Sequence, residues 1–183
     1  NLGPDMVSEM VRKLGLKNTF LAAMFYIGAP GLRSVQTPAN IRSDVTTDPD
    51  PLNQTTAVDM ALLLDDIYQC SQKGGGTLMA VFPGEISQNE CRAMIALLSG
   101  NRTGNMLEAG LPDGTQIAHK HAYATIDDLL HTIGDAGLVY TPGGNYILSI
   151  YISDNNQIIF DNANSLFADI SRAVYNYFNL TTQ

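Results

Sequence analysis

Over the first hundred residues apolar side chains recur at helical spacing, and after residue 115 they switch to alternation. "GPDMVSEMVRKLGL" carries Pro4 near its start and an apolar stripe of Met6, Met10, Val11 and Leu14, which predicts a short helix stopped by Gly15. The pattern is then lost. Residues 28–54 hold prolines among Asn, Asp, Ser and Thr, and predict a long irregular loop of the kind that is usually functional or mobile. "TTAVDMALLLDDIYQCSQ" restores the helical period, with Thr55 or Thr56 as its cap and Val58, Ala61, Leu62, Ile67 and Tyr68 as its apolar side. Gly74, Gly75 and Gly76 break it. Ser87 and Glu90 then form a capping box, opening a further amphipathic helix that ends at Gly100.

Three stretches read as strands: "TQIAHKHAY", "GDAGLVYTPGG" and "NYILSIYIS". The last two are joined by the turn Thr141-Pro142-Gly143-Gly144. The closing segment "NSLFADISRAVYNYF" places Leu166, Ile170, Val174 and Tyr177 on one helical face, predicting a helix packed on the sheet. Helices first, then antiparallel strands and a C-terminal helix, make an α+β arrangement. Cys91 lies early in one helix and Cys70 late in the one before it. A bridge between them and two buried free thiols are both compatible with that placement.

Composition narrows the function classes. The 183 residues suit one domain, and a share of 45% apolar against 15% charged side chains is globular. A net charge of −8 with only ten basic residues argues against nucleic acid or an anionic membrane surface as partner, because phosphate recognition needs clustered Lys and Arg. No apolar run reaches the roughly 18 residues of a membrane span. The chain opens on Asn1 rather than Met, which reads as a processed or excised piece of something longer.

Candidate chemistry concentrates in "GLPDGTQIAHKHAY". On a strand, Ile117, His119 and His121 project to one face, and Ala118, Lys120 and Ala122 to the other. Small neighbours leave room for a ligand at Lys120, although an edge lysine that discourages aggregation has the same pattern. His119 and His121 have a metal-compatible spacing, but no third ligand recurs nearby, so no metal is assigned and packed, hydrogen-bonded histidines are expected. Neither a phosphate-binding glycine loop after a strand nor a G-x-S-x-G elbow occurs.

The stretch "LLSGN...NMLEAGLPDGTQIAHKHAY", followed by "GDAGLVYTPGGNYILSIYIS" and a closing helix, resembles the C-terminal half of a class A β-lactamase or penicillin-binding-protein type serine hydrolase. In that family an LP-x-G turn leads into the strand bearing a K-T-G motif, and Lys120-His121-Ala122 stands at its place. "GPDMVSEMVRKLGLKNT" resembles the helix after the family's S-D-N motif, and "LNQTTAVDMALLLDDIY" the segment after its omega loop. The resemblance implies that Lys120 is catalytic, holding the substrate carboxylate and supporting proton transfer around the nucleophile. It places His121 and Ala122 in substrate binding, His121 as a hydrogen-bond donor and Ala122 where the family has glycine.

Further expectations follow from the same resemblance. The chain is a single domain over residues 1–183, the C-terminal portion of a larger one, with an incomplete three-stranded sheet. No serine is followed three residues later by lysine, so this chain alone lacks the acylating residue. Residues 28–54 contain no glutamate to activate a deacylating water, leaving Asp44, Asp48 and Asp50 as substitutes. The ligand expected is a β-lactam or a peptidoglycan-like amide, with no cofactor, in a secreted or periplasmic setting. An exposed sheet edge invites a homo-oligomer. The alternative function is a non-catalytic module of the same fold, binding cell-wall or protein ligands.

Overall fold

Residues 3–24, 35–44 and 52–180 are described by the structure, a computed structural model. Helix α1 (Pro4–Lys13) starts on a proline in its first turn, with Asp5 beside it, and ends with Arg12 and Lys13 in its last turn, charges that suit both ends of its dipole. Met10 and Leu14 pack inward. Met6 does not: it is exposed, and the buried residue of the helix is Ser8. Its hydroxyl donates to the Leu21 carbonyl at 2.7 Å and accepts from the Leu21 N–H at 2.8 Å, tying α1 to strand β1 (Phe20–Leu21). That strand pairs antiparallel with β2 (Asn53–Gln54).

Helix α2 (Ala57–Lys73) is capped by the Thr56 hydroxyl, which accepts from the Asp59 N–H, and ends on Gly74 at φ +62°, where a side chain would be strained. A single turn and a half, α3 (Thr77–Val81), follows where only a break was expected. The capping box of Ser87 and Glu90 opens α4 (Gln88–Ser99) as predicted. Cys70 and Cys91 form a disulfide between α2 and α4, and both are fully buried beside Ile67, Leu78 and Phe82.

The face of α2 corrects the sequence pattern. Val58 and Leu62 are exposed, whereas Asp59, Leu64, Ile67, Cys70 and Ser71 are buried. Counting apolar residues mistook the orientation because two of the inward positions are polar and satisfied by hydrogen bonds.

Strands β3 (Gln116–Ile126), β4 (Leu129–Tyr140) and β5 (Tyr146–Ser153) form one antiparallel sheet in the order β3-β4-β5. The β3–β4 hairpin is longer than the pattern predicted. Asp127 and Asp128 turn it with φ of +49° and +64°, the twisted two-residue geometry that matches strand twist. Helix α5 (Phe160–Phe178) starts earlier than expected and buries Ala163, Phe167, Ala168 and Ser171 rather than Leu166 and Tyr177, which are exposed. Phe167, with Met106, Leu107, Ile117, Ile133, Val139 and Tyr146, makes the core between helix and sheet. Gly110, in a short 3-10 turn over Glu108–Gly110, lies so close to α5 that a Cβ there would stand 2.1 Å from the Ala168 carbonyl oxygen.

Candidate functional site

The site is built on the middle of β3. Alternation sends the His119 and His121 rings to one side, 6.3 Å apart, and Lys120 to the other. Lys120 is exposed, and its ammonium donates to the His121 carbonyl at 2.7 Å. Ala122 is exposed two residues further on, and His121 is half-buried. The structure therefore brings Lys120, His121 and Ala122 together on one accessible stretch of strand. Of the loop predicted over residues 28–54, residues 28–34 and 45–51, including Asp48 and Asp50, lie outside the described residues. Asp44 is described, and it pairs with Arg42.

Under this stretch sits a charged cluster that the sequence pattern did not single out. His119 is completely buried, as is Asp135 of β4. The His119 Nδ1 lies 3.1 and 3.0 Å from the two Asp135 carboxylate oxygens, and its Nε2 lies 2.7 Å from the Asn101 carbonyl oxygen. Glu108 approaches Nε2 at 4.0 Å and itself pairs with Arg102 at 2.6 Å. Burial alone would lower the pKa of His119, but the Asp135 hydrogen bond and charge, the Asn101 carbonyl and the Glu108 charge together raise it. Burial pulls Glu108 the opposite way, yet the Gly104 N–H and Arg102 hold its carboxyl below the usual range.

Room for the imidazole comes from Gly137, which faces His119 across the β3–β4 ladder. A Cβ at Gly137 would stand 2.8 Å from the His119 Cβ and 3.1 Å from the Ile117 side chain. Asp135 also accepts from the Leu107 N–H at 3.2 Å. The segment above it is pinned from α5: Asn164 accepts the Met106 N–H at 2.6 Å, and Ser171 donates to the Leu107 carbonyl at 2.7 Å. Met106 sits at φ +57°, a conformation that costs a non-glycine residue about 1 kcal/mol or more. Asn101, Arg102, Glu108 and Asp135 were thus missed by the sequence pattern. The one available signal was Asp135, an acid flanked by small residues in an otherwise apolar strand.

A family model described as the β-lactamase enzyme family matches residues 1–178. The chain belongs to the β-lactamase enzyme family. Solved structures with the same fold include PBP-A, at 22% identity and a TM-score of 0.66, covering 98% of this chain and 52% of that one. The extended-spectrum β-lactamase TLA-3 gives the same identity and TM-score, with 96% and 55% covered. A class A β-lactamase from Bacteroides cellulosilyticus DSM 14838 again gives 22% and 0.66, with 98% and 55% covered. The chain thus spans about half the length of these structures. No curated protein matches it. The α+β fold and the expected family stand. Among the described residues no helix is long and apolar enough to cross a membrane.

Proposed function

We propose that this chain is the strand-bearing half of a serine hydrolase acting on β-lactam or peptidoglycan-type amides through an acyl-enzyme. Lys120 is the cation that holds the ligand carboxylate, with His121 and Ala122 lining the same place. The observation that carries this reading is Lys120 itself: an exposed ammonium on the strand where the family resemblance puts its site lysine, and paired with no carboxylate among the described residues. An ammonium free of a protein carboxylate has its charge available for an incoming anion.

The acylating serine, on this reading, belongs to a segment outside the chain. The chain alone then binds but does not turn over a chromogenic cephalosporin. The disulfide between Cys70 and Cys91 supports a secreted or periplasmic setting, since such bonds persist in oxidising compartments. The outer edge of β5, unpaired among the described residues, is where association of two copies is expected; sedimentation at rising concentration reads it.

A second reading is a non-catalytic binding module of the same fold. Ala122, whose methyl group stands where the family has hydrogen, and the absence of glutamate from residues 28–54 favour it. Titration with benzylpenicillin, followed by isothermal calorimetry, tests the shared step. Lys120→Ala removes a charge-assisted hydrogen bond worth about 1.5–3 kcal/mol, so affinity falls roughly tenfold or more. Equal affinity of wild type and variant retires the role given to Lys120. Covalent labelling once the missing half is supplied favours the hydrolase, and binding without labelling favours the module.

A further inference from the structure

Asp135, His119, Asn101 and His121 form a continuous hydrogen-bonded chain, in which His119 meets the backbone carbonyl of Asn101. The hydrogen-bond inventory at His119 is decisive. Nδ1 faces only carboxylate oxygens, and the closest atom to Nε2 is a backbone carbonyl oxygen. Carboxylate and carbonyl oxygens accept, so both ring nitrogens must donate, and a ring that donates twice is an imidazolium. Its charge is balanced locally: His119 and Arg102 against Asp135 and Glu108.

Asn101 passes this arrangement on. With its carbonyl oxygen fixed by His119, its side-chain amide has two hydrogens to place. The available acceptors are the His119 carbonyl at 3.4 Å and the His121 Nδ1 at 3.3 Å. Nε2 of His119 also lies 3.4 Å from that amide, but its proton is already committed to the carbonyl at 2.7 Å. An Nδ1 that accepts is bare, so the neutral His121 ring carries its proton on Nε2.

We infer that His119, held doubly protonated by Asp135 and the Asn101 carbonyl, is a positioning residue that acts through Asn101 to fix His121 as its Nε2–H tautomer. His121 then presents a hydrogen-bond donor one residue along β3 from Lys120, on the other face of the strand. Its use toward an acyl or carboxylate oxygen of a ligand rests on the function proposed above; the positioning itself does not. The ionisable groups facing His119 are Asp135 on β4, Glu108 with its partner Arg102 on the connecting segment, and His121 on its own strand; Lys120 projects from the opposite face. Tyr151 on β5, whose ring packs over Gly134, lies within electrostatic reach of Asp135. On α4, Glu90 is engaged by Ser87 and Arg92 by the Ser71 carbonyl.

Long-range proton–nitrogen NMR of the imidazoles in the full chain, near pH 7.5, tests this directly. His119 should show both ring nitrogens protonated, and His121 a protonated Nε2 with a bare Nδ1. Asn101→Ala should abolish the tautomer preference of His121 and leave His119 doubly protonated, because the backbone carbonyl remains. Asn101→Asp offers only acceptors and should flip His121 to the Nδ1–H form. A bare ring nitrogen on His119, or an unchanged His121 tautomer in Asn101→Ala, overturns the inference. Benzylpenicillin added to wild type should shift the His121 Nε2 resonance. Tautomers as expected with no such shift sink the ligand reading and keep the positioning.

Discussion

Among the described residues two carboxylates are buried, Asp59 and Asp135, and their surroundings differ in one respect that matters. Asp59, on α2, takes the Asn18 N–H and the Thr19 hydroxyl, each at 2.8 Å. Asn18 goes on to accept the Ala39 N–H and, through its carbonyl, the Gln54 amide, which also reaches the Thr37 hydroxyl. That network fastens residues 35–44 to the helical part with neutral donors only. Asp135 instead takes one N–H and an imidazole. Amide and hydroxyl donors keep their protons across the neutral range, whereas an imidazole gives its second proton up. Burying a carboxylate on neutral donors fixes a piece of backbone, and burying it on a histidine also couples that backbone to the solution.

The sharpest break between the two is deletion. Asp135→Ala strands a buried imidazolium and should cost about 3–5 kcal/mol, as breaking one side of a buried ion pair does. Asp59→Ala leaves an N–H and a hydroxyl without their acceptor, for about 1–3 kcal/mol. Urea unfolding of the two variants ranks them. Equal losses would mean that His119 is not charged in the fold, and the comparison would fail.

Reducing the Cys70–Cys91 disulfide comes next. It closes a loop of 21 residues, and opening it should lower stability by about 3 kcal/mol. The effect belongs to the α2–α4 side. Imidazole signals of His119 should therefore survive reduction in the fraction that stays folded. Their collapse together with the disulfide would show that the two regions are one cooperative unit rather than two differently anchored ones.

How much of this was legible in the sequence depends on which physics carried it. Ser87 and Glu90 declared their helix start because a capping box is local, needing only residues three apart. The three strands were legible from alternation, and Lys120-His121-Ala122 were legible as residues of one of them. The inward faces of α2 and α5 were not, because the buried Asp59 and Ser171 are satisfied by partners 40 to 64 residues away that no local period reveals. The extension of β4 to Leu129 escaped for a related reason: Asp127 and Asp128 look like a solvated loop until their left-handed backbone joins two strands. His119 was legible as a packed, hydrogen-bonded histidine, but not its partner. Only the β3–β4 register, with His121 opposite Asp135 and His119 opposite Gly137, brings that acid under the ring.

A smaller effect separates the two anchors by pH alone. The folded pKa of His119 is raised above the unfolded value of about 6.5. Burial, the largest single influence, lowers it, but the Asp135 hydrogen bond and charge, the Asn101 carbonyl and the Glu108 charge together outweigh burial. A raised basic group stabilises fully below its unfolded pKa, and the contribution is lost as pH rises through the folded one. Unfolding free energy should hence be flat below about pH 6.5 and fall above it. The fall is less than in Asp135→Ala, because Asp135 and Arg102 remain in place. Measurements below about pH 9 avoid the tyrosines, whose buried member Tyr146 is pushed up to about 12. In His119→Gln the slope should vanish while Asp59 and its neutral donors are untouched. A slope that persists in that variant assigns the pH dependence elsewhere.

The least effect on the fold is expected from the cation one residue along. Lys120 and His119 are both basic and adjacent, but strand alternation exposes one and buries the other. An exposed ammonium hydrogen-bonded to its neighbour's carbonyl is already well solvated, so its removal forfeits little. Lys120→Ala should shift unfolding free energy by no more than about 0.5 kcal/mol and leave the pH slope of the wild type intact. The same substitution should weaken benzylpenicillin binding, which separates a charge kept for a ligand from one kept for the fold. A loss of stability approaching that of Asp59→Ala would place Lys120 among the anchors and remove it from the site.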